Sequence, residues 1–146
     1  MPNVSVILER KFPQFNTVSP DHLVSDALYQ MCAENVDYLI VMNGEKFVGI
    51  LTEHDVTNKV LFANKPLNEL KVQDFLNKNL PVASSNNSLA YCMQLLERHN
   101  ARYLAIYDDF TFKGVVSAND LMHEMIANTD SEYGDISQDQ EYSWVY

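Results

Sequence analysis

The stretch Gly49-Ile50-Leu51-Thr52-Glu53-His54-Asp55 returns 65 positions later as Gly114-Val115-Val116-Ser117-Ala118-Asn119-Asp120. Both stretches read glycine, two apolar residues, a hydroxyl residue, two variable residues and aspartate. In each, the apolar residues end a predicted strand and the hydroxyl residue opens a predicted helix. A strand-to-helix corner that occurs twice in one chain indicates a duplicated unit.

The duplication extends well beyond this motif. Residues 16–56 align with residues 81–121 without a gap. The identical pairs are Ser19/Ser84, Asn35/Asn100, Tyr38/Tyr103, Leu39/Leu104, Phe47/Phe112, Gly49/Gly114 and Asp55/Asp120. The constant register and the small number of copies favour a duplication over a repeat array.

Both copies predict the same elements: a short extended piece, a helix, a strand, a hairpin, a second strand and a second helix. Apolar residues at helical spacing predict the first helix at 24–32 and at 89–96, the latter with Ser88 as N-cap. The predicted strands are 36–42 and 46–52, then 101–107 and 111–117. Their turns are predicted at Asn43-Gly44 and Asp108-Asp109.

One copy has about 45 residues, which is too few to bury a sufficient core alone. We therefore predict an α/β (α+β) fold in which two β-α-β-β-α repeats pack through their sheets. We predict three parts. Residues 1–64 form a first repeat with an N-terminal extension, residues 65–127 form a linker helix and second repeat, and residues 128–146 form an acidic tail. The linker, 64–79, is predicted to hold a short helix that covers the pair.

The composition limits the partners of the protein. Hydrophobic residues make up 47% of the chain, which indicates a globular protein. The net charge of −10 argues against binding to nucleic acid or to an anionic membrane, because both need a basic surface. The longest apolar run is too short to cross a bilayer, and the N-terminus does not resemble a signal peptide.

Two cysteines, Cys32 and Cys92, fall on the apolar stripes of predicted helices. We predict that both are buried free thiols, as in a cytoplasmic protein.

The motif has the chemistry of a nucleotide site. A helix N-terminus offers unpaired N–H groups to a phosphate. The hydroxyls of Thr52 and Ser117 can donate to phosphate or ribose, and Asp55 and Asp120 can accept from ribose hydroxyls. The same spacing is also a capping box, which needs no ligand. The two interpretations are compatible.

The repeated element order, the motif and the segments 49–60 and 99–108 resemble the CBS (cystathionine-β-synthase) domain, which occurs in pairs called Bateman modules. The resemblance covers residues 10–127. It implies clefts that bind AMP, ADP, ATP, S-adenosylmethionine or NADH, with no cofactor required. It also implies a homodimer.

The resemblance assigns roles by motif position. Asp55 and Asp120 would hold ribose, and Thr52 and Ser117 would contact ribose or phosphate. The remaining implied site residues border the clefts, flank the base or lie beside the motifs: Thr17, Val18, Tyr38, Ile50, His54, Val82, Ala83, Arg102, Tyr103, Val115 and Asn119. Cations near the motifs are few, so an AMP-like or other adenosyl ligand of low charge is favoured over a triphosphate.

The resulting function is regulatory rather than enzymatic. The sequence has no Ser/His/Asp or Cys/His set, no phosphate-binding glycine loop and no histidine spacing typical of a metal site. We expect a sensor that acts on an unidentified target protein. The alternative is a scaffold whose clefts stay empty and whose surface mediates assembly. The aromatic end of the acidic tail is expected to pack on the body or on a partner subunit.

Overall fold

The computed structural model describes residues 2–133, which form two copies of one unit. The first copy contains β1 (Thr17–Val18), α2 (Val24–Glu34), β2 (Tyr38–Asn43), β3 (Lys46–Thr52) and α3 (Glu53–Asp55), which continues as the π-helical segment Val56–Val60. The second contains β4 (Val82–Ala83), α4 (Leu89–Arg98), β5 (Tyr103–Asp108), β6 (Thr111–Ser117) and α5 (Ala118–Tyr133). Helix α1 (Val4–Lys11) precedes the first copy, and the linker holds two 3-10 turns, Leu67–Glu69 and Val72–Asp74.

The two sheets have the same hydrogen-bonding pattern. Each has three strands, in the orders β1-β2-β3 and β4-β5-β6. The first strand of each sheet is parallel to the middle one, and the last is antiparallel to it. Even the register shift recurs, after Val41 in β2 and after Ile106 in β5. The duplication predicted from sequence is therefore confirmed.

The predicted strands 46–52 and 111–117 and the helix starts at Glu53 and Ala118 are confirmed. The turns lie one residue later than predicted. Asn43 and Asp108 still pair across their hairpins, and the loops are 44–45 and 109–110. The positive φ angles fall at Gly44 in one loop and at Asp109 and Phe110 in the other.

The two sheets pack face to face around an internal pseudo-twofold axis. Tyr38, Ile40, Ile50 and Val115 form a buried cluster between them. Phe47 stacks on its own equivalent, Phe112, with centroids 4.2 Å apart. Tyr38 likewise meets its equivalent Tyr103 at 4.8 Å. The predicted packing of the repeats through their sheets is confirmed.

The segment that precedes each copy packs on the other copy. Val4 and Ile7 of α1 lie in the core of the second copy, with Leu89, Leu96 and Leu104. Arg10 reinforces this contact, because its Nη2 lies 2.7 Å from Oε2 of the buried Glu124 on α5.

The short helix predicted for the linker is present only as the two 3-10 turns. Lys71 bridges to Leu23, and the backbone N–H of Val72 donates to the carbonyl of His22, so the chain is extended between the two turns. Val72 packs in the core of the first copy.

Helix α5 runs to Tyr133, past residue 127, where the sequence placed the start of the tail. The aromatic end of that tail lies outside the described residues. Within residues 2–133, no helix is long and apolar enough to cross a membrane.

The packing of α1 leads to a stability prediction. Ile7 is 3% exposed and Val6, on the same helix, is 37% exposed. We expect Ile7→Ala to lower the free energy of unfolding by about 2–4 kcal/mol, because it leaves a cavity in the core of the second copy. The control Val6→Ala should change it by less than about 0.5 kcal/mol. Urea unfolding measures both, and equal losses would show that α1 is not part of this core.

Candidate ligand-binding clefts

Both motifs form a capping box at the strand-to-helix corner. The backbone N–H of Asp55 donates to Thr52 Oγ1 at 3.0 Å. Asp55 Oδ2 in turn accepts from the Thr52 backbone N–H at 3.3 Å. In the second copy, Ser117 Oγ accepts from the Asp120 N–H at 3.1 Å, and Asp120 Oδ2 accepts from the Ser117 N–H at 2.9 Å. Capping is therefore one function of these residues.

Each motif also lines a cleft. The first-motif cleft, of about 580 Å³, is lined by the first motif, by Asn77, Asn79 and Leu80 of the linker, and by residues 99–103 of the second copy. The second-motif cleft, of about 1040 Å³, is lined by the second motif, by residues of the segment 11–16, and by residues of α2 and the loop after it. Both volumes suit a small-molecule ligand.

The clefts are built from equivalent positions. With the 65-residue offset, positions 34–38 correspond to 99–103, and these segments supply equivalent walls of the two clefts. Each cleft takes its motif from one copy and this wall from the other. Neither copy alone would form a complete cleft.

The tyrosine pair lies between the clefts, with Tyr38 lining the second-motif cleft and Tyr103 the first. The Tyr103 hydroxyl donates to Asp37 Oδ2 at 3.1 Å. Burial, and after it the nearby Asp37 carboxylate, raise the pKa of Tyr103 well above its usual value. Tyr103 therefore stays protonated and can act as a donor. Asp37 and Glu53 line both clefts.

Lys11 of α1 reaches into the second-motif cleft. Its Nζ lies 2.6 Å from Asp120 Oδ2 and 2.8 Å from the Tyr38 hydroxyl oxygen. Burial alone would lower the pKa of Lys11, but Tyr38 and Asp120 together raise it above the usual value. Lys11 is therefore charged and pairs with the carboxylate of the motif. Sequence reasoning missed Lys11, because 109 residues separate it from Asp120.

A close backbone contact requires the first motif glycine, and a φ of +150°, which L side chains rarely adopt, favours glycine at position 114. A Cβ on Gly49 would lie 2.5 Å from the Asn77 carbonyl oxygen, and one on Gly114 would lie 2.7 Å from Gln14 Oε1. The Gln14 amide forms two hydrogen bonds with the backbone of Val115. The Asn77 backbone bonds Ile50 in the same way in the first copy. The segments 11–16 and 76–81 thus close the two clefts by equivalent contacts.

The structure brings nine of the fifteen predicted site residues to the clefts. The first-motif cleft contains Thr52, His54, Asp55, Arg102 and Tyr103. The second-motif cleft contains Tyr38, Ser117, Asn119 and Asp120. The residues that line neither cleft are Thr17, Val18, Ile50, Val82, Ala83 and Val115.

The reason for this division is the direction of the side chains. Ile50 and Val115 are fully buried between the sheets. Val18 and Ala83 are buried in the cores of their own copies, and their neighbours Thr17 and Val82 are exposed. Lining residues that the sequence did not single out include Lys11, Gln14, Asp37, Glu53, Asn79 and His99.

The two cysteines differ in exposure. Cys92 is buried, as predicted, and burial raises the pKa of its thiol to about 11. Cys32 is also a free thiol, but the prediction that it is buried is wrong, because this residue is exposed and lines the second-motif cleft. It lies at the edge of the apolar stripe of α2, where the helix faces the cleft and not the core.

Comparisons with known proteins all point to the same family. The profile of the CBS domain matches residues 8–61 and again residues 72–127. The chain is 26% identical over 125 residues to the CBS domain-containing protein YhcV of Bacillus subtilis, an alignment that covers 86% of this chain and 89% of that protein.

A solved structure agrees with this result. A protein with CBS domains from Burkholderia ambifaria, whose name proposes a role in signal transduction, superposes with a TM-score of 0.79 at 26% identity, over 87% of this chain and 96% of that one. The chain is also 30% identical over 138 residues to the inosine-5'-monophosphate dehydrogenase of Nitrosopumilus maritimus. That match covers 93% of this chain but only 25% of the enzyme.

The cysteine environments predict different thiol reactivities. We expect an uncharged chromogenic disulfide reagent to modify Cys32 of the native protein rapidly at pH 8, because this side chain is exposed. Cys92 should react only after denaturation, because it is buried and its thiolate is scarce at that pH. The amount of chromophore released before and after the addition of guanidinium gives the number of thiols that react in each state. The variant Cys32→Ser is the control. Rapid native modification of both thiols would contradict the described packing of α4.

Proposed function

This chain belongs to the CBS domain family, and we propose that it is a regulatory module that senses an adenosyl ligand of low charge in the clefts between its repeats. The observation that carries the proposal is the position of Asp55 and Asp120. Each lines a cleft of nucleotide size that is closed by the other repeat. A ligand in either cleft would therefore contact both repeats at once.

The motif aspartates keep acceptor capacity for a ribose. All hydrogen bonds that the Asp120 carboxylate accepts from the described residues end on Oδ2. Its Oδ1 would be available to a ribose hydroxyl. Asp55 also uses Oδ2 for its cap, and its Oδ1 lies 3.4 Å from Lys59 Nζ. The tyrosine pair between the clefts would offer an aromatic surface to a base from either side.

The charges of the lining favour AMP or another adenosyl compound over ADP or ATP. Carboxylates outnumber lysine and arginine in both clefts. A triphosphate would need several cations to offset its charge.

A regulatory role fits the family, because pairs of CBS domains are generally regulatory modules. The dehydrogenase relative does not change this proposal, because the chain matches only a quarter of that enzyme. Binding would act by shifting a conformational equilibrium, to the extent that the ligand prefers one state. Lys11 links the second-motif cleft to α1 and is a route by which occupancy could reach the surface. An unidentified target protein would read this change.

The sensor proposal predicts ligand-linked stabilisation. The melting temperature of the protein is measured in the presence of AMP, ADP, ATP, S-adenosylmethionine or NADH. A specific ligand at about 100 times its Kd should add about 2.7 kcal/mol to the stability of the fold. Asp55→Ala and Asp120→Ala, combined, should remove this increment, because the ribose contacts are lost.

The control for loss of a helix cap is Ser88→Ala. Ser88 caps α4 through Tyr91 N–H and lines neither cleft. The Ser88→Ala substitution should lower the free energy of unfolding by about 1 kcal/mol and leave the ligand-induced increment intact. A protein that no adenosyl compound stabilises would speak against the sensor.

The second candidate function is a scaffold with empty clefts, and an exposed apolar surface favours it. Met122 and Ile126 on α5 are about half exposed, and Leu61, the equivalent of Ile126 in the first repeat, is 70% exposed. Apolar side chains at matching positions of both repeats would suit contact with a second copy of the chain. We propose a homodimer formed through this surface.

The homodimer proposal is tested by mass in solution. Light scattering should give about twice the 16.7 kDa of one chain. Ile126→Lys should shift the mass toward one chain, because it places a charge in an apolar interface. Phe110→Lys is the matched control, since Phe110 is fully exposed at the tip of the β5–β6 hairpin. A single-chain mass for the unmodified protein would rule out the dimer.

A further inference from the structure

We infer that the two clefts bind different chemical forms of a nucleoside: the first-motif cleft takes a nucleoside monophosphate, and the second-motif cleft takes a nucleoside that carries no phosphate. This inference rests on the proposed function, because it assigns a ligand class to each of the same two clefts. It follows from comparing equivalent positions of a duplicated site.

Three equivalent positions differ in the same direction. His99 of the first-motif cleft corresponds to Glu34 in the other cleft. Arg102 corresponds to Asp37, and His54 corresponds to Asn119. At each position the first-motif cleft has a side chain that can carry positive charge. The second-motif cleft has an acidic or neutral side chain there.

The single lysine or arginine of each cleft is also in a different state. Arg102 is exposed and makes no ion pair within residues 2–133, so its guanidinium can pair with a phosphate. Lys11 already pairs with Asp120 and contacts the Tyr38 hydroxyl. A phosphate in the second-motif cleft would have to compete with Asp120 for Lys11, because Lys11 Nζ lies 2.6 Å from Asp120 Oδ2.

The carboxylates strengthen the contrast. In the first-motif cleft, Arg102 faces three carboxylates, and one of them, Asp55, is offset by Lys59 from outside the cleft at 3.4 Å. In the second-motif cleft, one lysine faces four carboxylates: Glu34, Asp37, Glu53 and Asp120. A phosphate would add negative charge to the more acidic site. A neutral nucleoside would not be repelled there.

The N-terminus of α5 does not compensate for this acidity. It opens onto the second-motif cleft, but the Ser117 N–H already donates to Asp120. The same carboxylate that caps the helix would face an incoming phosphate. The positive end of the helix dipole is thus largely offset before a ligand arrives.

Cys32 makes the two clefts separately measurable. It is exposed and lines only the second-motif cleft, whereas Cys92 is buried. The rate of Cys32 modification therefore reports occupancy of the second-motif cleft. Calorimetry reports binding to either cleft.

The experiment uses AMP and adenosine on the full chain. Adenosine should slow the modification of Cys32, and AMP at concentrations that saturate its calorimetric signal should not. Arg102→Ala should weaken AMP binding at least about tenfold, since it removes a charge-assisted contact. The same variant should leave the protection by adenosine unchanged.

Lys113→Ala is the matched control, because it removes one exposed positive charge that lines neither cleft. His99→Glu places the residue of the second-motif cleft in the first and should also weaken AMP. Because Arg102 and His99 are both exposed, neither substitution is expected to unfold the protein.

The outcomes separate this inference from the proposed function. AMP binding that protects Cys32, or that survives Arg102→Ala and His99→Glu unchanged, would overturn the assignment of the first-motif cleft while the sensor stands. Adenosine binding without protection of Cys32 would overturn the assignment of the second-motif cleft. Absence of calorimetric binding by both compounds to the unmodified protein would overturn this inference. The sensor would fall with it only if none of the other adenosyl compounds raises the melting temperature.

Discussion

Phe47 stacks on Phe112, its own counterpart in the second repeat, and at the other end of the same strands Tyr38 meets Tyr103. This contact between equivalent faces buries the apolar side of both three-stranded sheets, which a repeat of about 45 residues could not cover alone. It also decides where a ligand can bind. The sheets pack along the length of their strands, and the strand-to-helix corners are left facing two clefts, one on each side of the tyrosine pair.

The exchange of leading segments makes the two repeats interdependent. Helix α1 completes the core of the second repeat, and the linker completes the core of the first. The same exchange closes the clefts, because Gln14 bonds Val115 and Asn77 bonds Ile50. A change at either cleft therefore acts on a segment that is also part of a core. This coupling is the physical basis for a module that could report occupancy to another protein.

Local signals in the sequence were sufficient for the elements and insufficient for the cleft lining. The strands 46–52 and 111–117 and the helix starts after them follow from apolar patterning and N-cap residues, which act within a few positions. The place of Lys11 depends on a contact across 109 residues, for which the sequence has no local signal. Ile50 and Val115 were assigned to the clefts because a strand buried on both faces does not show which face meets a ligand. Cys32 was misplaced because helical spacing cannot show where an apolar stripe ends at a cleft.

Folding alone accounts for every residue type of the repeated motif. Gly49 is required by the approach of the Asn77 backbone and Gly114 is favoured by its φ of +150°, and the hydroxyl and carboxylate residues form capping boxes. The residue types of the motif therefore do not require a ligand, and its aspartates support one because each of them lines a cleft. Further support comes from residues that folding does not require. Arg102 is exposed beside a cleft without an ion pair among the described residues, and His99 makes no side-chain hydrogen bond there. The hydrogen bonds of the two motifs are thus already formed, while polar groups such as Arg102 and His99 lie beside the clefts without a side-chain partner among the described residues. A bound ligand would give those groups partners.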